Sequence, residues 1–195
     1  MLQKLFSIAY FPPVDYILEM KNANSVVVEA HDNYQKQTYR NRTTIFTGNG
    51  LQDLIIPVVR NSEKKITGIE IDNSVNWQRN HWKTIESAYN NSPFFLYYKD
   101  FFEPFFKEKY QFLFEYNFAL LILLRKLFSI HNTITLSESY EKNVINMEDY
   151  RHYFLPKNRT FRPKMIEYQQ VFSNRYGFME NITSIDYLFT MGTHF

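Results

Sequence analysis

Apolar and polar residues alternate in short runs up to about residue 72 and then at helical spacing for most of the remaining chain. The short runs predict strands over Leu5–Tyr10, Ser25–Ala30, Thr43–Thr47, Leu54–Val59 and Ile66–Ile71. Gly48-Asn49-Gly50 favours a hairpin between the third and fourth runs. A short helix over Val14–Met20 follows Pro12-Pro13, because proline is tolerated in a first helical turn.

Helical spacing resumes after Asp72-Asn73-Ser74, where Ser74 or Asn76 is a candidate cap. Pro104 is expected to separate two neighbouring helices, because proline interrupts helical hydrogen bonding. The predicted helices run from Asn76 to Tyr89 and over Phe94–Asp100, Phe105–Ile130, Ile166–Phe172 and Ile182–Met191. Thr133–Glu138 is a further predicted strand, and Glu141–Lys164 is polar and predicts a long loop.

These elements predict an α/β fold, with a mixed β-sheet in the N-terminal half packed with several α-helices from the C-terminal half. We expect a single domain over residues 1–195, mainly strands with one short helix over 1–72 and mainly helical over 73–195. Aromatic residues make up 18% of the chain and concentrate between Phe101 and Phe118. They predict an aromatic core or helix–helix seam, and the alternative is a platform on which a sugar ring stacks.

Composition narrows the classes of function. The chain has no cysteine, which excludes disulfides and thiolate chemistry. Its net charge of +2 is too small to predict nucleic-acid binding, and its histidines lack partners at metal-ligand spacing. Glycine-rich phosphate loops do not occur. The longest apolar stretch, over residues 118–124, is too short to span a membrane, so we expect a cytoplasmic protein.

The segment His31–Arg42 concentrates cationic and amide side chains between two predicted strands. If it is extended, Lys36, Thr38, Arg40 and Arg42 share one face, and Gln35, Gln37, Tyr39 and Asn41 share the other. Three cations on one face repel each other unless an anion lies among them, so the pattern predicts a site for a phosphate or carboxylate. The alternative is a solvated, charged edge strand that discourages aggregation.

A second candidate site opens the predicted helix after Asn76. Trp77, His81 and Ile85 lie one turn apart on one helical face. A histidine in this setting is a candidate general acid or base, since the pKa of imidazole lies near neutral pH. The alternative is a core histidine hydrogen-bonded to a nearby carbonyl, and the sequence leaves both open.

Four separated motifs together resemble the WbqC-like protein family, over nearly the whole chain and in matching order. They are AYFPP, HDNYQKQTYRNRTTI, DNSVNWQRNHWKTIESAYNNSPFFLYYKDFFEPFF, and IEYQQVFSNRYGF followed by NITSIDYLFTMG. The positions that match the family pattern are Tyr10, Phe11, Pro12, Lys36, Arg40, Asn41, Arg42, Ile45, Trp77, His81, Lys83, Ile85, Ala88, Tyr89, Pro93, Asp186, Leu188, Phe189 and Gly192.

The chain departs from the family pattern at both ends. Ile8-Ala9-Tyr10 stands where many relatives carry His-Gln-Pro, so a catalytic role for that histidine would be lost in this protein. Thr190 and Thr193 replace an asparagine and a proline of the terminal motif. Expectations about a site therefore rest on the central motifs.

The resemblance implies a transferase in bacterial surface-polysaccharide (O-antigen type) biosynthesis, with aminoacyl or glycyl transfer to a sugar as the suggested reaction. Its small-molecule substrate would be an activated amino acid or a sugar nucleotide. The resemblance leaves the cofactor unknown and a homodimer open. The alternative is a non-catalytic sugar-nucleotide-binding or assembly protein of the same pathway. In the transferase, His81 would transfer the proton, and the expected substrate-binding residues are Lys36, Tyr39, Arg40, Asn41, Arg42, Trp77, Lys83 and Tyr89.

Overall fold

A four-stranded parallel sheet forms the centre of the protein, which a computed structural model describes over residues 3–60, 63–161 and 167–193. Its strands are β1 (Gln3–Ser7), β2 (Ser25–Glu29), β5 (Thr133–Leu136) and β6 (Met147–Asp149), in the order β5-β2-β1-β6. A separate antiparallel hairpin consists of β3 (Arg42–Thr47) and β4 (Gly50–Ile55). The helices are α1 (Val14–Lys21), α2 (Trp77–Tyr89), α3 (Phe95–Lys107), α4 (Leu113–Leu127), α5 (Ser173–Tyr176) and α6 (Ser184–Met191).

The expected α/β fold is confirmed, with the parallel and antiparallel strand pairs in two different sheets. Phe6, Val26 and Val28 have no exposed surface, as expected for central strands of a parallel sheet. Among the aromatic residues between 101 and 118, Phe102, Phe106, Phe114 and Tyr116 are buried. Across the described ranges, no helix combines the length and the apolar character needed to cross a membrane.

The second strand of the hairpin, β4, lies earlier in the chain than the strand predicted over Leu54–Val59. Thr47 pairs with Gly50, so two residues join β3 to β4, and Gly50 adopts a φ of 97° that favours glycine. β4 ends at Ile55, before Pro57, which has no N–H to donate to a strand ladder. The predicted strand was therefore placed about four residues too late.

Pro104 does not separate two helices, contrary to the prediction. It lies inside α3, near the C-terminal end, and the helix stops only at Lys107. The break follows instead at residues 108–112, where the main chain turns to pair with a distant segment. The Ile71 N–H donates to the Gln111 carbonyl at 2.9 Å, and the Leu113 N–H donates to the Ile69 carbonyl at 2.9 Å. These long-range bonds fix the boundary between α3 and α4.

Three other predicted elements were wrong. Ile66–Ile71 is not a strand but begins with a 3₁₀ turn over Ile66–Gly68. The predicted loop Glu141–Lys164 contains β6 and a 3₁₀ helix over Pro156–Phe161, and its last residues lie outside the described part of the chain. No helix is present over the described residues 167–172 of the predicted helix Ile166–Phe172; Ile166 lies outside the described residues, and α5 follows at Ser173.

Candidate functional site

The segment His31–Arg42 is a series of turns and not the extended strand that its alternation predicts. Gln37 has a φ of 60°, a left-handed conformation that breaks the strand period. Lys36 is therefore exposed, while Arg40 is only 2% exposed. The expectation that Lys36, Arg40 and Arg42 share one face was wrong.

Arg40 belongs to a buried ion pair near the carboxyl end of the parallel sheet. Its Nη2 donates to the Asp32 carboxylate and to the Ser7 hydroxyl, the latter at 2.8 Å. Burial raises the pKa of Asp32, and the Arg40 charge opposes that rise. Since both partners are buried and paired, the contacts of Arg40 hold the segment on the sheet.

The other predicted residues of this segment also make structural contacts. The Tyr39 carbonyl accepts from the Tyr10 N–H at 2.7 Å. Asn41 donates its Nδ2 to the Ile56 carbonyl at 2.9 Å, and its own carbonyl accepts from the Ile56 N–H at 2.7 Å. Arg42 lies 3.6 Å from Asp53 across the hairpin. These contacts join the segment to both the sheet and the hairpin.

A second buried arginine, which the sequence did not reveal, completes a charged network at the same end of the sheet. Arg151 donates to Glu29 at 3.0 Å and to Asp149 at 2.7 Å, and so joins the ends of β2 and β6. Its carbonyl accepts from the Ser7 hydroxyl at 3.1 Å, which places Ser7 between Arg151 and Arg40. Ligands of α/β proteins commonly bind at the carboxyl ends of parallel strands, but here the charged groups are paired with one another.

His81 lies among aromatic rings, only 7% exposed. Its Nδ1 is 3.0 Å from the Tyr10 hydroxyl, and its ring also bonds to the main chain of Ile55. Burial lowers the pKa of His81 to about 4, and the bond to Ile55 acts in the opposite direction. The ring is therefore neutral at pH 7. Its contacts are those of the core histidine that the sequence left open as an alternative.

The remaining predicted residues of α2 divide between core and surface. Trp77 packs edge-on against His81, with ring centroids 5.2 Å apart. Lys83 is exposed. Tyr89 is buried, and its hydroxyl accepts from the Phe46 N–H at 3.3 Å. Asp186, in the first turn of α6, interacts with Tyr89 and accepts from the Tyr168 hydroxyl at 2.7 Å.

Lys36 lines an open groove that residues 33–36 form with residues 58–60 and 63–69. The lining residues, which we call the cationic groove, are Asn33, Tyr34, Lys36, Val58, Val59, Arg60, Glu63, Lys64 and Ile69. The volume is about 380 Å³, within the range of small-molecule sites. The Tyr34 N–H donates to the Lys64 carbonyl at 2.8 Å, so main-chain pairing holds the two walls together.

Charge in the cationic groove is predominantly positive. Lys36, Arg60 and Lys64 face one acid, Glu63. In the part of the chain that the structure describes, none of these three cations forms an ion pair. Burial raises the pKa of Tyr34, and Arg42 and Arg40 oppose this, so the hydroxyl stays protonated at neutral pH and is able to donate.

Comparison with known families decides the relationship of the chain. The family model described as WbqC-like protein family matches residues 9–153. The chain belongs to the WbqC-like family. Searches among curated proteins and among solved structures gave no match.

The family match covers the cationic groove and all nine predicted site residues, but it stops before Asp186. Ala9, where this WbqC-like chain departs from the His-Gln-Pro pattern, lines a small cavity of about 10 Å³ together with Arg40 and Arg151. In the described ranges, no three His, Asp or Glu side chains are grouped as metal ligands. Most of the groove residues were missed because they come from a second segment, and only the local density of Arg60, Lys64 and Lys65 hinted at them.

Proposed function

We propose that this WbqC-like protein binds a phosphate- or carboxylate-bearing small molecule in the cationic groove. It would act there as a transferase of bacterial surface-polysaccharide biosynthesis, with an activated amino acid or a sugar nucleotide as its substrate. The observation that carries the proposal is that Lys36, Arg60 and Lys64 line one open groove and form no ion pair among the described residues.

Three cations that line one groove repel each other, and a bound anion offsets this electrostatic repulsion. Arg60 has the planar guanidinium that matches phosphate and carboxylate, whereas Lys36 and Lys64 supply point charges. Val58 and Ile69 give the groove apolar surface for the uncharged part of a ligand. Tyr34 adds a hydroxyl donor beside the cations.

For the transfer step, the groove supplies positioning and stabilisation of negative charge, which account for much of catalysis in group transfer. Glu63 is the carboxylate that lines the groove, and we assign it the role of proton acceptor from an attacking amine or hydroxyl. The role expected for His81 would require a rearrangement, because Tyr10 and Ile55 already engage its ring.

The alternative is a binding protein of the same pathway that performs no reaction. The position of His81 favours this alternative, because its buried ring is bonded to Tyr10 and Ile55 and does not line the cationic groove. Glu63→Gln separates the two functions. A transferase loses turnover and keeps ligand binding, whereas in a binding protein the substitution changes affinity alone.

Thermal unfolding with uridine diphosphate glucose, coenzyme A and glycine tests binding. A ligand present at 100 times its Kd should raise the free energy of unfolding by about 2.7 kcal/mol. In Lys36→Ala/Lys64→Ala the shift should disappear, because each charge-assisted contact is worth about 1.5–3 kcal/mol. Lys126→Ala, at an exposed lysine of the last turn of α4, is the matched control and should respond like the wild type.

Two outcomes would overturn the proposal. One is a ligand response that the double lysine variant retains in full. The other is a wild-type protein whose thermal unfolding responds to none of the three probes.

A further inference from the structure

Glu63 is the acidic residue of the cationic groove, and its carboxylate is not paired with the cations that surround it. Lys36, Arg60 and Lys64 line the same groove. Arg60 lies three residues before Glu63 and Lys64 directly after it, so the sequence brings opposite charges close together. Within the described ranges, Glu63 nevertheless forms no ion pair with any of the three.

The position of the Glu63 side chain depends on Gly68, the last residue of the 3₁₀ turn over Ile66–Gly68. Glu63 occupies the space in which a side chain at position 68 would begin. A β-carbon added to Gly68 would lie 2.8 Å from the Glu63 Cβ, 3.1 Å from its Cδ, and closer still to its Oε2. Because carbon atoms that are not bonded pack at about 3.5–4.0 Å, any larger residue at position 68 forces Glu63 to move.

The backbone at Gly68 does not itself require glycine. Its φ lies outside the left-handed region, and its N–H donates to the Lys65 carbonyl at 3.0 Å, as in any 3₁₀ turn. Glycine loses more conformational freedom on folding than alanine does, so alanine would be favoured here on entropy alone. The feature that favours glycine at this position is therefore the close approach of Glu63.

We propose that Gly68 is a positioning residue that holds the Glu63 carboxylate away from the cations of the groove. The inference rests on the proposed function, because it takes the cations to be the groups that bind an anion. A carboxylate that is pushed off Gly68 is attracted by Arg60 and Lys64, and once paired there it competes with the ligand. In its present place it leaves the cations free and stays available as the proton acceptor assigned to it.

The expected effect on binding is modest, because Glu63 and Lys64 are both exposed and an exposed ion pair is weak. We expect Gly68→Ala to weaken anion binding about fivefold, which corresponds to about 1 kcal/mol. Glu63→Gln keeps the shape of the side chain, and with it the steric overlap with residue 68, but removes the charge. Glu63→Gln/Gly68→Ala should therefore bind an anion as tightly as Glu63→Gln does.

Calorimetric titration of the full chain with inorganic pyrophosphate and with uridine diphosphate glucose compares these variants with the wild type. Gly48→Ala is the matched control, because a β-carbon at Gly48 would lie 3.6 Å from the nearest atom of the Phe172 ring, an ordinary contact distance. It should bind like the wild type. Wild-type affinity in Gly68→Ala would overturn the proposal. So would an equal loss from alanine at position 68 with Glu63 or with glutamine, since the cause would then be steric damage and not charge.

A crystal structure of Gly68→Ala gives a second readout that needs no ligand. We expect the Glu63 carboxylate to lie within about 4 Å of a nitrogen of Arg60 or Lys64. If this pair forms but the wild type binds neither probe, the proposed function fails and the role of Gly68 stands. If the wild type binds a probe but the pair does not form, the role of Gly68 fails alone.

Discussion

The buried ring of His81 makes stability depend on pH, and this dependence distinguishes a core histidine from a catalytic one. The side chain is 7% exposed, and burial lowers its pKa to about 4. In the unfolded chain it takes up a proton near its ordinary pKa of 6.5. Between pH 6.5 and 4, the unfolded state therefore binds the proton and the folded state does not.

The magnitude follows from the difference between the two pKa values. Each pKa unit corresponds to about 1.4 kcal/mol, so the shift from 6.5 to about 4 is worth about 3 kcal/mol. The contribution is fully present above pH 6.5 and is lost as the pH falls toward 4. Glutamine at position 81 keeps an amide that can bond to Tyr10 but does not titrate.

Urea unfolding of the wild type and His81→Gln at a series of pH values from 7.5 to 4 measures this loss. We expect the variant to be less stable at pH 7.5 by a fixed amount, because its packing differs. The free-energy difference between the two proteins should then shift by about 3 kcal/mol in favour of the variant as the pH falls. Measuring the difference cancels the titration of all other groups.

A free-energy difference that stays constant with pH would refute this reasoning. It would mean that His81 titrates in the folded protein as it does in the unfolded chain. The ring would then be open to solvent, and the role of general acid or base would again be favoured over the core role.

Other predictions concern charged side chains, both buried and partly exposed. Burial raises the pKa of Asp186 from 3.8 to about 6, so this carboxyl makes the wild type lose about 3 kcal/mol of unfolding free energy as the pH rises through that interval. This dependence is opposite in sign to that of His81. In Asp186→Asn we expect it to disappear, which urea unfolding at a series of pH values measures. Arg40→Ala should cost about 3–5 kcal/mol, because it leaves Asp32 buried without its cation. Arg42→Ala, which removes a partly exposed pair with Asp53, should cost less than about 1 kcal/mol by denaturant midpoint.

Elements that depend on local patterns were predictable from the sequence. α2 runs from Trp77 to Tyr89, as its helical spacing and the following Asn90-Asn91-Ser92-Pro93 indicate. β2 begins at Ser25 and ends one residue before the predicted boundary. In both cases, apolar periodicity and breaker residues are sufficient, because packing only reinforces what the local sequence favours.

Features fixed by distant contacts were not predictable. Arg40 looked available for a ligand because its partner Asp32 is reached only through the turns around Gln37. The cationic groove exists because Asn33 pairs with Lys65, a bridge that no local pattern announces. Among the predicted site residues, Lys36 alone lines this groove. The charge of Lys36 therefore pointed to a binding site, whereas the strand register assumed for its segment did not.

Calorimetric titration with uridine diphosphate glucose and inorganic pyrophosphate tests the central claim most directly. The wild type should bind at least one of these probes, with an affinity that falls as salt rises. Lys36→Ala/Lys64→Ala should bind at least a hundredfold more weakly, about 2.7 kcal/mol, while Lys126→Ala binds like the wild type. Equal affinities in the wild type and the double lysine variant would contradict the account.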